Sequence, residues 1–292
     1  MNPYIILVVQ ILFSSGTYII ANAATQTIPA ANLTFLRTLI SGAIYLAYLL
    51  YSKLPFKYRG KDLTLLLVLG LLSVPINQYA FLYGVKFTTA TEAAMLYSTT
   101  PVLVLLLSGF YLKERITLVK LAGTVMAFAG VTIIILDKGF KFGVTHLKGD
   151  LFVFLAVIAW TLYTTLGRKL VLKHGAINST IYTALAGSLM FLPIGLWSSF
   201  GYGYSALSEA QWMEILYLSL ITSIVGYVLW YYALGKVEAA RVAVFTNGQP
   251  VMTAVMAYVF LGQSISLMFT LGALVTICGV VITQMELHPR YP

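Results

Sequence analysis

The sequence predicts an all-α membrane protein of ten transmembrane helices, built as two inverted five-helix repeats with both termini in the cytoplasm. Three observations predict it. Hydrophobic residues make up 60% of the 292-residue chain and charged residues 9%, with a mean hydropathy of +0.89. Apolar stretches recur at lengths of about 20 residues, which is what a helix needs to cross about 30 Å of hydrocarbon. Finally, residues 81–133 align without a gap on 230–282 at an offset of 149, bringing Tyr83 onto Tyr232, Ala90 onto Ala239, Pro101 onto Pro250 and Leu112 onto Leu261.

Between charged interruptions the ten spans fall at roughly 4–24, 31–52, 63–83, 90–112, 117–136, 150–171, 178–199, 211–234, 239–261 and 266–285. The first resembles a cleaved signal at Ala21-Asn22-Ala23, but Met1-Asn2-Pro3-Tyr4 lacks the basic residues of such a leader and Ser14-Ser15-Gly16-Thr17 interrupts the apolar run, so it is read as a retained span. The second contains Arg37, which either snorkels outward or anchors a substrate carboxylate or a helix end. The third carries Asn77 and Gln78, adjacent amides that are costly in mid-membrane unless they face the interior, where they meet a substrate or a neighbouring helix.

In the fourth span Tyr97-Ser98-Thr99-Thr100 precedes Pro101, and in the ninth Thr246-Asn247-Gly248-Gln249 precedes Pro250. Each cluster lies eight or nine residues into its helix, roughly 12–13 Å deep and close to the midplane. Proline removes a backbone donor and clashes with the carbonyl four residues back, freeing the carbonyls of Tyr97 and Thr246. The resulting kinks either line a pathway or are structural, with their hydroxyls bonded back to the helix. Trp160 and Tyr163 in the sixth span, Tyr227 and Trp230 in the eighth, and Phe13 and Tyr18 in the first are aromatic candidates for a binding box or for lipid-facing packing. Tyr231 and Tyr232 lie nearer a helix end, where an interfacial belt is expected. In the fifth and tenth spans Gly123/Gly130 and Gly272/Gly279 are seven apart, one face each, and predict that these two helices pack together. Cys278, the single cysteine, precludes an intrachain disulfide and is read as a small buried residue.

The net charge of +9 is a topology signal. Thirteen Lys and Arg fall in one alternate set of loops and the tail, and four in the other set, which places the richer side in the cytoplasm. Five spans per repeat make the second half enter from the opposite side. Accordingly Leu112-Lys113-Glu114-Arg115 keeps its apolar frame but loses its charges in Leu261-Gly262-Gln263-Ser264. The halves are residues 4–136 and 150–285, followed by a short cytoplasmic tail, 286–292.

The sequence resembles the EamA-type transporters of the drug/metabolite transporter superfamily. The resemblance rests on Phe35-Leu36-Arg37, on Thr91-Glu92-Ala93-Ala94 running into Pro101, on Leu112-Lys113-Glu114 and on the Gly123–Gly130 helix. In the second half it rests on Ala239-Ala240 into Pro250, Leu261-Gly262-Gln263 and the Gly272–Gly279 helix. It implies ten helices and secondary transport of small metabolites, often efflux. Two positions depart from the usual pattern: Gln263 stands where an acid closes the ninth span, and Leu12-Phe13-Ser14 replaces Leu-Trp-Gly.

No phosphate-binding loop is present to hydrolyse ATP. No catalytic triad or metal-ligand cluster is present either, since His146, His174 and His288 all lie in loops or the tail. The expectation is therefore a non-enzymatic carrier without cofactor or metal, in a bacterial or archaeal cytoplasmic membrane. Its partners are a small-molecule substrate and the lipid bilayer, not nucleic acid, and it is a monomer or weak homodimer. The substrate-binding candidates are Asn77, Gln78, Tyr97, Ser98, Thr100, Trp160, Tyr163, Tyr227, Trp230, Asn247 and Gln249, with Pro101 and Pro250 at the helix breaks. Arg37, Glu92 and Glu114 are candidates for charge anchoring or coupling. Glu114 is expected to cap or to pair with Arg115 or Lys120. One cation and no mid-membrane acid favour a neutral or zwitterionic, amino-acid-like solute moved without proton coupling. A quaternary ammonium compound, and a non-transporting scaffold, are the alternatives.

Overall fold

The computed structural model describes residues 2–138, 144–261 and 266–285. Among them regular structure is entirely helical. Helices α1 (Pro3–Thr27) and α2 (Ala30–Ser52) are continuous. Helix α3 (Lys61–Leu71) runs through a wide π-helical turn (Leu72–Gln78) into α4 (Tyr79–Val85). The next span is broken into α5 (Ala90–Ser98) and α6 (Thr100–Tyr111), followed by α7 (Leu118–Lys138). Then come α8 (Val144–His174), α9 (Ala176–Ser199), and α10 (Glu209–Leu216), which passes through a second π-helical stretch (Tyr217–Gly226) into α11 (Tyr227–Leu234). Helix α12 (Ala239–Ala243), a 3₁₀ segment (Val244–Asn247), α13 (Gly248–Leu261) and α14 (Leu267–Gln284) follow.

Eight helices among the described residues are long and apolar enough to cross a membrane. Two expected spans fall outside that count. The fifth is α7, 21 residues long and including the apolar helix Leu118–Ile134. The ninth is Ala239–Leu261, divided into α12, the 3₁₀ segment and α13, as the fourth is divided into α5 and α6. The breaks follow the prolines. Pro101 lies in the first turn of α6, where its missing N–H would have had no intrahelical partner anyway. Pro250 is likewise the third residue of α13. The wide turn at 72–78 contains Pro75, whereas its counterpart at 217–226 has no proline and no equivalent local signal.

Helices α7 and α14 pack antiparallel on their glycines, as the spacing predicted. A Cβ on Gly123 would stand 2.8 Å from the Gly279 carbonyl oxygen, and one on Gly272 would stand 2.7 Å from that of Gly130. Any side chain at these points would push the helices apart. The small residues let the two backbones touch, the usual way for helices to gain contact area in lipid. Cys278 faces outward on α14 and is exposed, not buried. The 286–292 tail and Gln263 lie outside the described residues.

Candidate functional site

Four irregular segments converge on one central cavity of about 80 Å³. They are the two π-helical turns, which contribute Asn77, Gln78, Thr222 and Gly226, and the two broken spans, which contribute Tyr97, Thr246 and Gln249. This agrees with the rule that non-helical backbone at membrane depth is tolerated only inside protein or along a cavity, and with the association of π-turns with functional sites. Larger grooves at the periphery, of about 510 and 500 Å³, are lined almost wholly by apolar surface and offer little to select a solute.

Two aromatic clusters flank the cavity, one from each half of the chain. Tyr18, Phe81 and Tyr97 meet edge to face, with ring centroids 5.6–5.8 Å apart. Opposite them, Trp160 lies 5.2 Å from Tyr227 and 5.4 Å from Trp230. Tyr163 stacks behind Trp160 and against Tyr231 at 4.8 Å. Tyr231 is fully buried by this stack, which corrects its expected place in an interfacial belt. Phe13, another box candidate, is turned outward and is exposed.

A hydrogen-bond chain joins the clusters. The Asn77 Nδ2 amide donates to the Tyr97 hydroxyl and to the Ala156 carbonyl, both at 2.8 Å. The Tyr227 hydroxyl donates to Asn77 Oδ1 at 3.3 Å and accepts from Gln78 Nε2 at 3.3 Å. On the far wall Tyr18 donates to Gln249 Oε1 at 2.9 Å, and Gln249 Nε2 donates to Ser14 Oγ at 2.8 Å. Trp230 Nε1 donates to Thr164 Oγ1 at 3.1 Å.

Seven of the expected binding residues line the cavity: Asn77, Gln78, Tyr97, Trp160, Tyr227, Trp230 and Gln249. Four do not. Ser98 donates its hydroxyl back to the Met95 carbonyl at 2.6 Å, Thr100 and Asn247 are fully buried in the packing, and Tyr163 backs Trp160. Pro101 and Pro250 set the breaks without lining the cavity. Gln10, Ser14, Thr17, Phe81 and Thr222, none of them among the expected binding residues, also belong to the lining. Gln10, Ser14, Thr17 and Tyr18 fall at i, i+4, i+7 and i+8 along α1, a helical face whose polarity was a usable signal.

Arg37 does not snorkel. It is 2% exposed, lines the cavity, and donates from Nε to Ser223 Oγ at 2.6 Å. The two glutamates lie elsewhere. Glu92 accepts from the Thr88 hydroxyl at 2.7 Å and from the Thr89 N–H at 3.1 Å. Glu114 pairs with Arg168, not with Arg115 or Lys120, and accepts from the backbone N–H groups of Ala239 and Ala240 at 2.9 and 3.3 Å. Lys120 instead pairs with Glu238 at 2.8 Å. Among the described residues no cluster of His, Cys, Asp or Glu could hold a metal ion.

A bundle of membrane-length helices around a polar and aromatic central cavity defines a membrane transporter. The chain belongs to the EamA-like transporter family, which matches residues 1–136 and again 147–285, and so to the drug/metabolite transporter superfamily. It is 31% identical to an uncharacterized transporter of Archaeoglobus fulgidus over 98% of this chain and 99% of that one. It is 25% identical to a probable terminal-alkyne amino-acid exporter of Streptantibioticus cattleyicolor, over 77% of this chain and 74% of the relative. A crystal structure with 18% identity superposes at a TM-score of 0.79 over 97% of this chain and 98% of its own, and shares the fold. The protein is thus an integral membrane transporter of a small solute, in a family of carriers and not of enzymes.

Proposed function

We propose that the protein exports a small neutral or zwitterionic, amino-acid-like metabolite across the cytoplasmic membrane by alternating access. The reading counts α7 and the divided segment Ala239–Leu261 with the eight longer helices as ten spans. These form two inverted repeats, 4–136 and 150–285, with both termini cytoplasmic. One observation carries it: Gln78 and Tyr227, separated by the repeat offset of 149, hydrogen-bond to each other in the cavity. A residue meets its own counterpart only near the axis that relates the two copies. The glycine seam adds support, because exchanging the halves turns the Gly123–Gly279 contact into Gly272–Gly130. Antiparallel helices related in this way suit an axis in the membrane plane, along which such carriers place their substrate site. Tyr4 against Phe245 and Gln284 against Arg241 put the two ends of the chain near one another, in keeping with an even number of spans.

The proposed substrate contacts are Asn77, Gln78, Tyr97 and Gln249 for polar groups and Trp160, Tyr227 and Trp230 for apolar or cationic ones. Ser98, Thr100, Tyr163 and Asn247 support them from behind. Among the described residues Arg37 is the single charge of the lining, which suits a solute without net charge and not a sugar phosphate. Glu92 and Glu114 are committed to helix caps and an ion pair, which favours movement down the substrate gradient over proton coupling. The relative named as an amino-acid exporter is in keeping with both cargo and direction. The two aromatic clusters support a second reading, a quaternary ammonium substrate held on ring faces.

Counterflow of labelled amino acids and choline into proteoliposomes tests the proposal. Expected is saturable amino-acid flux without proportional proton current, weakened by Asn77→Ala and Gln249→Ala in protein that stays folded. A proton current tracking the flux overturns the uncoupled mechanism. Flux of choline alone selects the second reading, and no flux of any solute overturns both.

A further inference from the structure

The polar groups left over in the cavity describe the ligand. Arg37 is buried to 2% exposure and, among the described residues, forms no ion pair; its one hydrogen bond, Nε to Ser223 Oγ, leaves the four N–H bonds of the terminal nitrogens uncommitted. A buried cation held this way is expensive unless an anion joins it. Two buried acceptors in the lining stand in the opposite situation. Gln10 Oε1 and Gln78 Oε1 have no hydrogen-bond partner in the protein, although Gln78 Nε2 is engaged with Tyr227. Both residues line the cavity that Arg37 lines. The remaining cavity amides, Asn77 and Gln249, have both side-chain atoms bonded.

The surplus therefore includes one fixed cation with spare donors and two buried acceptors without donors, beside the neutral donors of the Gln10 amide and the Tyr97 hydroxyl. A carboxylate satisfies the first through a forked pair of charge-assisted bonds. An ammonium satisfies the second, with its three N–H groups against two amide oxygens and the aromatic faces nearby. We infer that the cavity binds an α-amino acid as the zwitterion, with its carboxylate on Arg37 and its ammonium on the side-chain oxygens of Gln10 and Gln78. This rests on the central cavity being the substrate site, and it removes from the candidate list both neutral solutes without charged groups and cations without a carboxylate. Arg37 and Gln10 become specificity-determining residues.

The test is a three-way ligand comparison on the purified full-length protein, read by thermal shift and by the fluorescence of Trp160 and Trp230. Each common amino acid is compared with its α-amide, which lacks the carboxylate, and with the corresponding acid lacking the amine; acetate and chloride serve as anion controls. At least one amino acid is expected to bind, with its amide and its des-amino acid each about tenfold or more weaker, as for the loss of a charge-assisted hydrogen bond. Arg37→Gln should abolish binding. Because removing a buried arginine also risks the fold, Gln10→Leu supplies the second variant, with wild-type unfolding temperature and about tenfold weaker amino-acid binding. An amide or choline that binds as well as the best amino acid overturns the inference, as does full stabilisation by acetate or chloride, or the absence of any amino-acid binding at millimolar concentration. Liposome flux separates this result from the transport reading. Flux of a carboxylate-free solute, lost in Asn77→Ala, leaves transport standing and refutes the zwitterion. Zwitterion binding without flux does the reverse.

Discussion

The N-termini of α5 and α12 occupy equivalent positions 149 residues apart, yet they are closed in different ways. At α5 the closure is local. Thr89 Oγ1 accepts from the Glu92 N–H at 3.1 Å, and the Glu92 carboxylate accepts from the Thr89 N–H at 3.1 Å, a complete capping box. At α12 these residues are replaced by Glu238 and Arg241. Arginine carries the wrong charge for a helix N-terminus, and here its Nε turns to Glu238 at 3.0 Å and its Nη1 to the Gln284 carbonyl at 3.2 Å. Glu238 makes no cap bond and is also held by Lys120. The orphan N–H groups of Ala239 and Ala240 go instead to Glu114, which arrives from the other half of the chain with Arg168 on its remaining side. The α5 cap thus closes on residues of its own turn, with Thr88 carrying it across to Asp150 of α8 at 2.7 Å. The other closes only when the fourth, sixth and ninth spans come together. A repeat can keep its apolar frame and still make its two ends mechanically unlike, through two substituted positions.

The largest expected effect breaks the α12 closure. Glu114→Ala leaves Arg168 buried without its partner and two backbone donors uncapped, a change that costs about 3–5 kcal/mol in buried pairs. Thermal or SDS unfolding in detergent measures it, and the distinction between the two ends fails if the loss is no greater than that for a cap on α5. The next effect sharpens the attribution. Adding Arg168→Met to Glu114→Ala removes the stranded charge, so the double variant should recover about 1–3 kcal/mol relative to Glu114→Ala alone, since much of such a loss is the cost of the unpaired ion. A double variant that is less stable than the single one places the stabilisation in packing by Arg168.

The unequal legibility of these two ends has a physical basis. Thr89 and Glu92 are three residues apart, so sequence alone displays their cap. Glu114 and Ala239 are 125 residues apart, and no local pattern announces that one closes the other. The same division runs through the site. The breaks before Pro101 and Pro250 and the buried amides Asn77 and Gln78 were legible, because proline chemistry and the cost of polar groups in lipid are local properties. The wide turn at Tyr217–Gly226 was not, because it contains no proline, and its irregularity comes from what it serves: the Ser223 carbonyl it exposes accepts from Tyr45 at 2.8 Å and its hydroxyl takes Arg37. The sequence left Arg37 open between turning outward and turning inward and did not display the inward turn of Tyr231, because the direction of a long side chain depends on which helix stands beside it. Gln10 was overlooked for another reason. A lone amide in an apolar run looks incidental until Ser14, Thr17 and Tyr18 are placed on the same face.

The smallest expected effect comes from the local cap of α5 and completes the comparison. Thr89→Ala removes the hydroxyl that accepts from the Glu92 N–H, at a typical cost of about 1 kcal/mol for the loss of an N-cap. Glu92 keeps its bonds to Thr88 and to the backbone of residue 89, so the reciprocal half of the box survives. The loss should therefore stay near 1 kcal/mol in unfolding experiments and should add to that of Glu114→Ala without coupling, because the two caps share no residue. An interaction energy above about 0.5 kcal/mol between the two substitutions would mean that the ends sense one another through the helices. Closure at one end would then be set by the state of the other rather than by its own cap.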